Sequence, residues 1–337
     1  MNSANVEPTA NPAPAAPAGP AKDPRIIALR RFAISITVFN ILGHTVLGFE
    51  PSWATPLAAM AVAYVMELGL ETLDAWATRR PVKYAGGPMA LVNFLMPAHI
   101  TALACAMLLY ANARLGPVIF AVIVAVASKY LIRVRIGGRP RHVLNPSNFG
   151  IAVVLVLFPW VGIAPPYQFT EWVGTPLDLA IPALILAAGT MLNAKLTRKM
   201  PLILGWIGVF ALQALIRTPI EGTATLSALL AMSGVAFVLF TNYMITDPGT
   251  TPVRPRNQFA FGASTALVYA LLVHFHVVYG LFFALVIVCL LRGAALAVMD
   301  MRQRAAAQPA PLAEPKSVPR RHAPARGGVL ATGEEAK

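Results

Sequence analysis

The chain has 337 residues, 57% of them hydrophobic and 12% charged, with mean hydropathy +0.65. That is more apolar side chain than one water-soluble core of this length can hide, so an ordinary soluble enzyme is excluded and lipid is implied as a second solvent. A formal charge of +13 would suit a nucleic-acid binder, but the 27 Lys and Arg fall mainly in short segments between apolar runs, the pattern that orients helices in a bilayer.

Residues 1–24 are rich in Ala and Pro and nearly free of large apolar side chains. They cannot bury enough surface to offset the entropy of ordering, which predicts a disordered arm. The arm lacks the basic start and apolar stretch of a secretory signal, and Arg25, Arg30 and Arg31 before the first apolar run place it in the cytoplasm. Ten apolar runs follow, at 32–49, 53–73, 89–111, 116–132, 148–164, 178–194, 201–216, 223–245, 259–275 and 278–298, within a membrane domain spanning 25–304. Residues 305–337 return to Ala and Pro, with Lys316, Arg320, Arg321 and Arg326. This second tail is expected to be disordered and cytoplasmic, either solvated or touching anionic lipid heads. Cys105 and Cys289 both lie inside apolar runs, so a disulfide scaffold and a four-cysteine metal site built from this chain alone are excluded.

Charge tests the count. Starting inside, the loops on the inner side carry Arg79, Arg80 and Lys83, then Arg133, Arg135, Arg139 and Arg141, then Lys195, Arg198 and Lys199, then Arg254 and Arg256, then Arg302 and Arg304. The outer loops carry only Arg114 and Arg217, together with the acids Glu50, Glu171, Asp178 and Glu221. The expected fold is therefore an all-α polytopic membrane protein of about ten transmembrane helices in the inner membrane, with both termini cytoplasmic. Five plus five, an odd number per half, permits an inverted repeat.

Three segments are more polar than a loop requires. GGRPRHVLNPSNFG, 137–150, joins Arg139, Arg141 and His142 to a turn in which Asn145 or Ser147 caps a helix opened by Pro146. It reads as a basic loop with a good cap, or as a site for an anion or a cofactor's polar tail. TNYMITDPGTTPVRPRNQFAFG, 241–262, holds Asp247 among Thr246, Thr250, Thr251, Arg254 and Arg256; a structural ion pair and a ligand contact both fit it. RTPIEGTATLSALL, 217–230, places Thr223 and Thr225 at a helix start on the outer face, where a threonine is ordinarily a cap. Of the histidines, His44, His99, His274 and His276 sit in or at the ends of spans; a haem reading competes with hydrogen-bonded histidine, and His274 and His276 point to different faces of one helix. Glu67 and Glu71, one turn apart at the inner end of span two, are expected to be solvated at the membrane edge, with ion or proton passage as the alternative.

The Asn-Pro-Ser-Asn-Phe-Gly turn with its basic prelude, the Thr-Asp-Pro-Gly-Thr-Thr-Pro segment about a hundred residues on, and the Gly-Thr-Ala-Thr between them resemble the NqrB/RnfD family of membrane flavin proteins. That family comprises the NqrB component of sodium-pumping NADH:quinone reductase and the RnfD component of Rnf electron-transport complexes. The wording is closest to the enediyne biosynthesis protein UnbU branch, and the resemblance covers about 30–300. It implies an electron-transfer component serving a natural-product pathway, with other redox components and quinone as partners. It also implies FMN joined through a phosphoester to a threonine in an Asp-x-x-Ser-Gly-Ala-Thr motif. Laid on this sequence, the threonine is Thr225 and the alanine Ala224, while Pro219, Gly222 and Thr223 stand at the aspartate, serine and glycine positions. Arg139, Arg141, Asn145, Asn148, Thr246 and Asp247 are the expected holders of a second, non-covalent flavin or of quinone, with Phe149, Phe259, Phe261 and Tyr243 as walls for a flavin ring and Asn242 and Asn257 as further polar contacts. No nucleophile, base and orienter set is found. The competing reading is a cofactor-free transporter or channel on the same scaffold.

Overall fold

A computed structural model describes residues 24–307 apart from 113, 137, 166–173 and 223. The two predicted tails therefore lie outside the described residues, except that the last helix runs to Ala307, three residues into the second.

Helices occupy all ten apolar runs. In chain order they are α1 (Pro24–Leu42), closed by a π-helical turn over Gly43–Leu47, α2 (Ala54–Ala77), α3 (Pro88–Leu108), α4 (Leu115–Leu131) and α5 (Pro146–Leu157). The second half holds α6 (Thr175–Leu192) with a π turn over Asn193–Thr197, α7 (Met200–Glu221), α8 (Thr225–Leu230), α9 (Val235–Leu239) with a π turn over Phe240–Met244, α10 (Pro255–His274) and α11 (Gly280–Ala307). Proline stands in the first turn of α3, α5, α6, α7 and α10, where its fixed φ suits the helix and its missing N–H costs nothing. Among the described residues strands are confined to two small antiparallel pairs, Leu109–Tyr110 (β1) with Gly162–Ile163 (β4), and the hairpin Arg133–Ile136 (β2) with Arg139–His142 (β3).

Among the described residues six helices are, by length and composition, able to cross a membrane, or seven if the pair on 225–233 and 236–244, bent by 62°, is one broken span. The predicted runs at 116–132 and 148–164 form helices of only 17 and 12 residues, and α10 is too polar at its start to meet the same test. At about 1.5 Å per residue α5 is roughly 18 Å long, well short of the ~30 Å hydrocarbon layer, so it is too short to cross one alone.

Glu67 and Glu71 are not solvated as expected: their relative exposures are 3% and 0%. Glu67 accepts from Lys129 Nζ at 2.7 Å and from Tyr130 at 3.1 Å. Glu71 accepts from Arg80, from Lys83 Nζ at 2.9 Å and from the Lys83 backbone at 3.0 Å. Asp74 bridges Arg80 and Arg133, and Arg133 lies over the Tyr130 ring. A carboxylate in a low-dielectric interior survives only with partners of this kind, so the basic loop after α2, the end of α4 and the start of the hairpin are drawn into one cluster. The same carboxylates hold Arg80, outside the spans, above its ordinary pKa, with the hydrogen bond to Glu71 the largest cause.

Candidate functional site

The two polar segments expected at the inner side meet. Asn145 caps α5: its Oδ1 accepts from the Asn148 backbone N–H at 3.1 Å and from Ser147 Oγ at 3.0 Å. Its Nδ2 reaches across to donate to the Met244 carbonyl at 2.9 Å, three residues before Asp247. Asn148 donates to the Phe282 carbonyl on α11 at 2.9 Å. One turn thus ties three separate parts of the chain, all of it buried.

The loop 247–252 is held by its own carboxylate and by two cations. Asp247 accepts from the Gly249 N–H at 3.1 Å and from Thr250 Oγ1 at 2.9 Å, and its carbonyl takes Thr251 Oγ1 at 2.6 Å. Arg292 donates to the Thr250 carbonyl at 2.8 Å, and buried Lys199 donates to the Pro252 carbonyl at 2.7 Å. Burial pushes the Lys199 ammonium down to about 8, with Asp247 opposing the shift and Arg292 adding to it. His142, at the end of β3, closes the site: a Cβ on Gly249 would stand 3.0 Å from its Nε2, close enough to press on the ring. Burial lowers the pKa of His142, against the attraction of Asp247.

Of the other expected residues, Thr246 spends its hydroxyl on the Asn242 carbonyl, a bond within its own helical turn. Arg139 and Arg141 are exposed on β3, and beyond the strand's backbone ladder neither side chain has a hydrogen bond or ion pair among the described residues. Phe261 is buried, but Phe259 is 51% exposed and Tyr243 turns edge-on to Phe32 of α1 at 5.5 Å. Asn257 is exposed while Asn242 is buried. On the other polar end, Thr225 opens α8 exposed, its Oγ1 2.9 Å from that of buried Thr218, and Ala224, not a side-chain cap, precedes it. Thr223 lies outside the described residues. His99 uses both ring nitrogens, on Thr37 and Tyr64, and His44 Nδ1 sits on the Asn40 carbonyl.

Lys199 and Arg292 escaped the reading of the sequence, although Arg292 interrupts an otherwise apolar run, and an intramembrane arginine is itself a sign of function. Asn193 was missed as well: it donates to the Asn242 carbonyl at 2.8 Å and to Gly189 at 2.9 Å, fastening the end of α6 to the same region. Among the described residues five buried amide oxygens are left without a donor, and three of them, Asn148 Oδ1, Asn242 Oδ1 and Gln258 Oε1, belong to these two polar segments. Since buried acceptors are nearly always paired, they mark where a donor is wanted. No protein-family model matches the chain, and no curated protein does.

The joint between the two turns has a direct consequence. Alanine at Asn148 and at Asp247 should each impair function, and the double variant should lose less than the sum, because both act through one buried contact set. Additive losses at normal expression would assign the two residues to independent turns.

Proposed function

We propose that the chain is an integral membrane electron-transfer protein that binds flavin, related in kind to RnfD and to NqrB of the sodium-pumping reductase. The observation that carries this reading is the meeting of the two polar segments through Asn145 and the Met244 carbonyl, with buried, unpaired amide oxygens on Asn148 and Asn242 of those same segments. Asn148 and Asn242 would accept from the ring N–H of an isoalloxazine, Asn145 and Asp247 would fix the two turns around it, and Lys199 and Arg292 would keep the surroundings positive. A bound flavin would supply one- or two-electron transfer there. The burial of Asn145, Ser147 and Asn148 at the start of α5 would keep bulk water from the ring, which strengthens every polar contact in the site.

FMN carried covalently on Thr225 belongs to the same proposal. Support comes from the exposed hydroxyl beside Thr218 and close in sequence to Arg217; Pro219, in place of the aspartate of the attachment motif, weighs against it. Other redox proteins of such a complex and quinone are the proposed partners, and the cell inner membrane is the proposed location.

Ten spans with both termini cytoplasmic, in two inverted halves, are also proposed. What supports the halves is a recurrence of neighbours. The first run packs on the third, the second on the third and fourth, and the fourth on the fifth; the sixth packs on the eighth, the seventh on the eighth and ninth, and the ninth on the tenth. Runs one and six each end in a π turn followed by a left-handed residue, Gly48 and Arg198. Reporter fusions after Ala113 and Val173 should read outside and one after Gly138 inside; a reversal at any of them overturns the topology.

A cofactor-free carrier or channel is the second reading, favoured by the fact that Asp247 spends both carboxylate oxygens within its own loop. The absorbance of the purified protein separates the two. A flavin spectrum supports the first, a colourless protein the second, and a Soret band would indicate haem instead. Intact mass after co-expression with a flavin transferase then tests the covalent site: an FMN-sized adduct on the wild type and none on Thr225→Val assigns it, and an adduct that survives the substitution rejects it.

A further inference from the structure

A cavity of about 580 Å³ opens between α1, α2 and α3, within the range of about 300–1,000 Å³ typical of ligand sites. Its walls are mostly aliphatic, and several of them, Ile34, Val38, Met89 and Val92, are between 45% and 63% exposed. On helices apolar enough to cross a membrane, such faces meet lipid, so the cavity is a groove entered from the hydrocarbon side.

Two polar features line it. The first is Arg30. Its Nε and Nη2 are fixed by Asn93 Oδ1 at 3.3 and 3.1 Å, and Nη2 also meets the Met89 sulfur at 3.0 Å. Among the described residues its Nη1 has no partner and the guanidinium meets no carboxylate. A cation positioned by neutral groups, with one donor edge free, is arranged for an outside anion.

The second feature is the Thr37–His99–Tyr64 triad, seven residues along α1 from Arg30 and hence about 10 Å deeper. Thr37 Oγ1 donates to the Ala33 carbonyl at 2.7 Å. Its 2.7 Å contact with His99 Nε2 must then be donated by the ring, which leaves Nδ1 to accept from Tyr64 at 2.7 Å. The triad is neutral and offers no free donor, so it puts no demand for an anion or a carbonyl on whatever lies over it. Charge complementarity in the groove is confined to its mouth.

We infer that this groove holds an anionic glycerophospholipid, its phosphate at Arg30 and one acyl chain laid along α1 and α3 over the triad. The inference rests on the membrane location alone, so it stands or falls separately from the flavin proposal.

The test uses the full-length protein, delipidated in mild detergent and followed by native mass spectrometry. It is titrated with phosphatidylglycerol, with phosphatidylcholine of the same chains, and with the matching free fatty acid. One basic residue near the surface favours an anionic lipid by about fivefold, so the wild type should retain phosphatidylglycerol over phosphatidylcholine by about that factor. Arg30→Gln should bring the two to parity, Arg30→Lys should keep the preference, and Val92→Trp, which fills the groove, should abolish retention of both. Arg135→Gln, an exposed arginine outside the groove, should change nothing. Equal retention of the two phospholipids by the wild type, a preference that survives Arg30→Gln, or unchanged binding in Val92→Trp overturns the site. Stronger retention of the fatty acid overturns the choice of a phospholipid. If Arg30→Gln does not survive extraction, Arg30→Lys and Val92→Trp decide by the same criteria.

Discussion

Lys129→Met should lower the stability of the purified protein by about 3–5 kcal/mol, the usual cost of leaving one member of a buried ion pair without its partner. Lys129 is the only cation that contacts Glu67 among the described residues, through both carboxylate oxygens at 2.7 Å, and removing it leaves a 4%-exposed carboxylate with the Tyr130 hydroxyl alone. Adding Glu67→Gln to the same chain should recover most of the loss, because the buried charge is then gone while the amide still meets Tyr130. Arg304→Met should be nearly silent, since its i,i+4 pair with Asp300 leaves the arginine 51% exposed. Unfolding in a detergent–denaturant mixture measures all three. A silent Lys129→Met, or a double variant as weak as the single, would show that Glu67 is not held in the bilayer interior by this pair.

Gly262→Ala should be nearly as damaging, at about 3 kcal/mol, the upper end of overpacking costs. α7 and α10 cross so closely that a Cβ on Gly262 would collide with the Leu202 carbonyl oxygen and lie 2.8 Å from the Trp206 nitrogen. From the other side, a Cβ on Gly205 would collide with the Phe259 carbonyl. Backbone cannot swing aside as a side chain does, so the helices must separate, taking the buried Trp206 and Phe210 rings of α7 away from Tyr269 of α10. Gly208, on the same α7, meets nothing within 4 Å of an added Cβ; Gly208→Ala should stabilise the protein by up to about 1 kcal/mol through helix propensity alone. Opposite signs for one substitution at two glycines of the same helix pair make the comparison independent of how detergent alters the baseline.

Apolar runs and their punctuation placed every helix, because hydropathy is a property of windows of about 20 residues that one sequence displays in full. Where the runs were interrupted the outcome was harder to foresee: nothing in LSALLAMSGVAFVLF states that it bends by 62°. Asn145 was legible as a cap from Asn-Pro-Ser-Asn alone, but its bond to the Met244 carbonyl joins residues 99 apart, and such pairings are not written in local pattern. Lys199 was masked by its setting, since in a basic inner loop it looked like one more solvated charge. Glu67 and Glu71 misled for the mirror-image reason: carboxylates near a span's end usually reach water, and the cations that pair with these come from the end of α4 and from the loop after α2, which folds back on it.

The tight crossing of α7 and α10 also bears on how the protein is made. The 33 residues between Glu221 and Pro255 include α8 and α9, two short pieces whose bend exposes backbone groups that lipid cannot satisfy. A translocon releasing segments one at a time has no stable resting place for such a piece. It needs walls, and the two on which it packs, α6 and α7, are both synthesised before it. The broken segment is therefore expected to dock on them as it leaves the translocon, and the α7–α10 crossing at Gly262 closes afterwards, as the last joint of the second half.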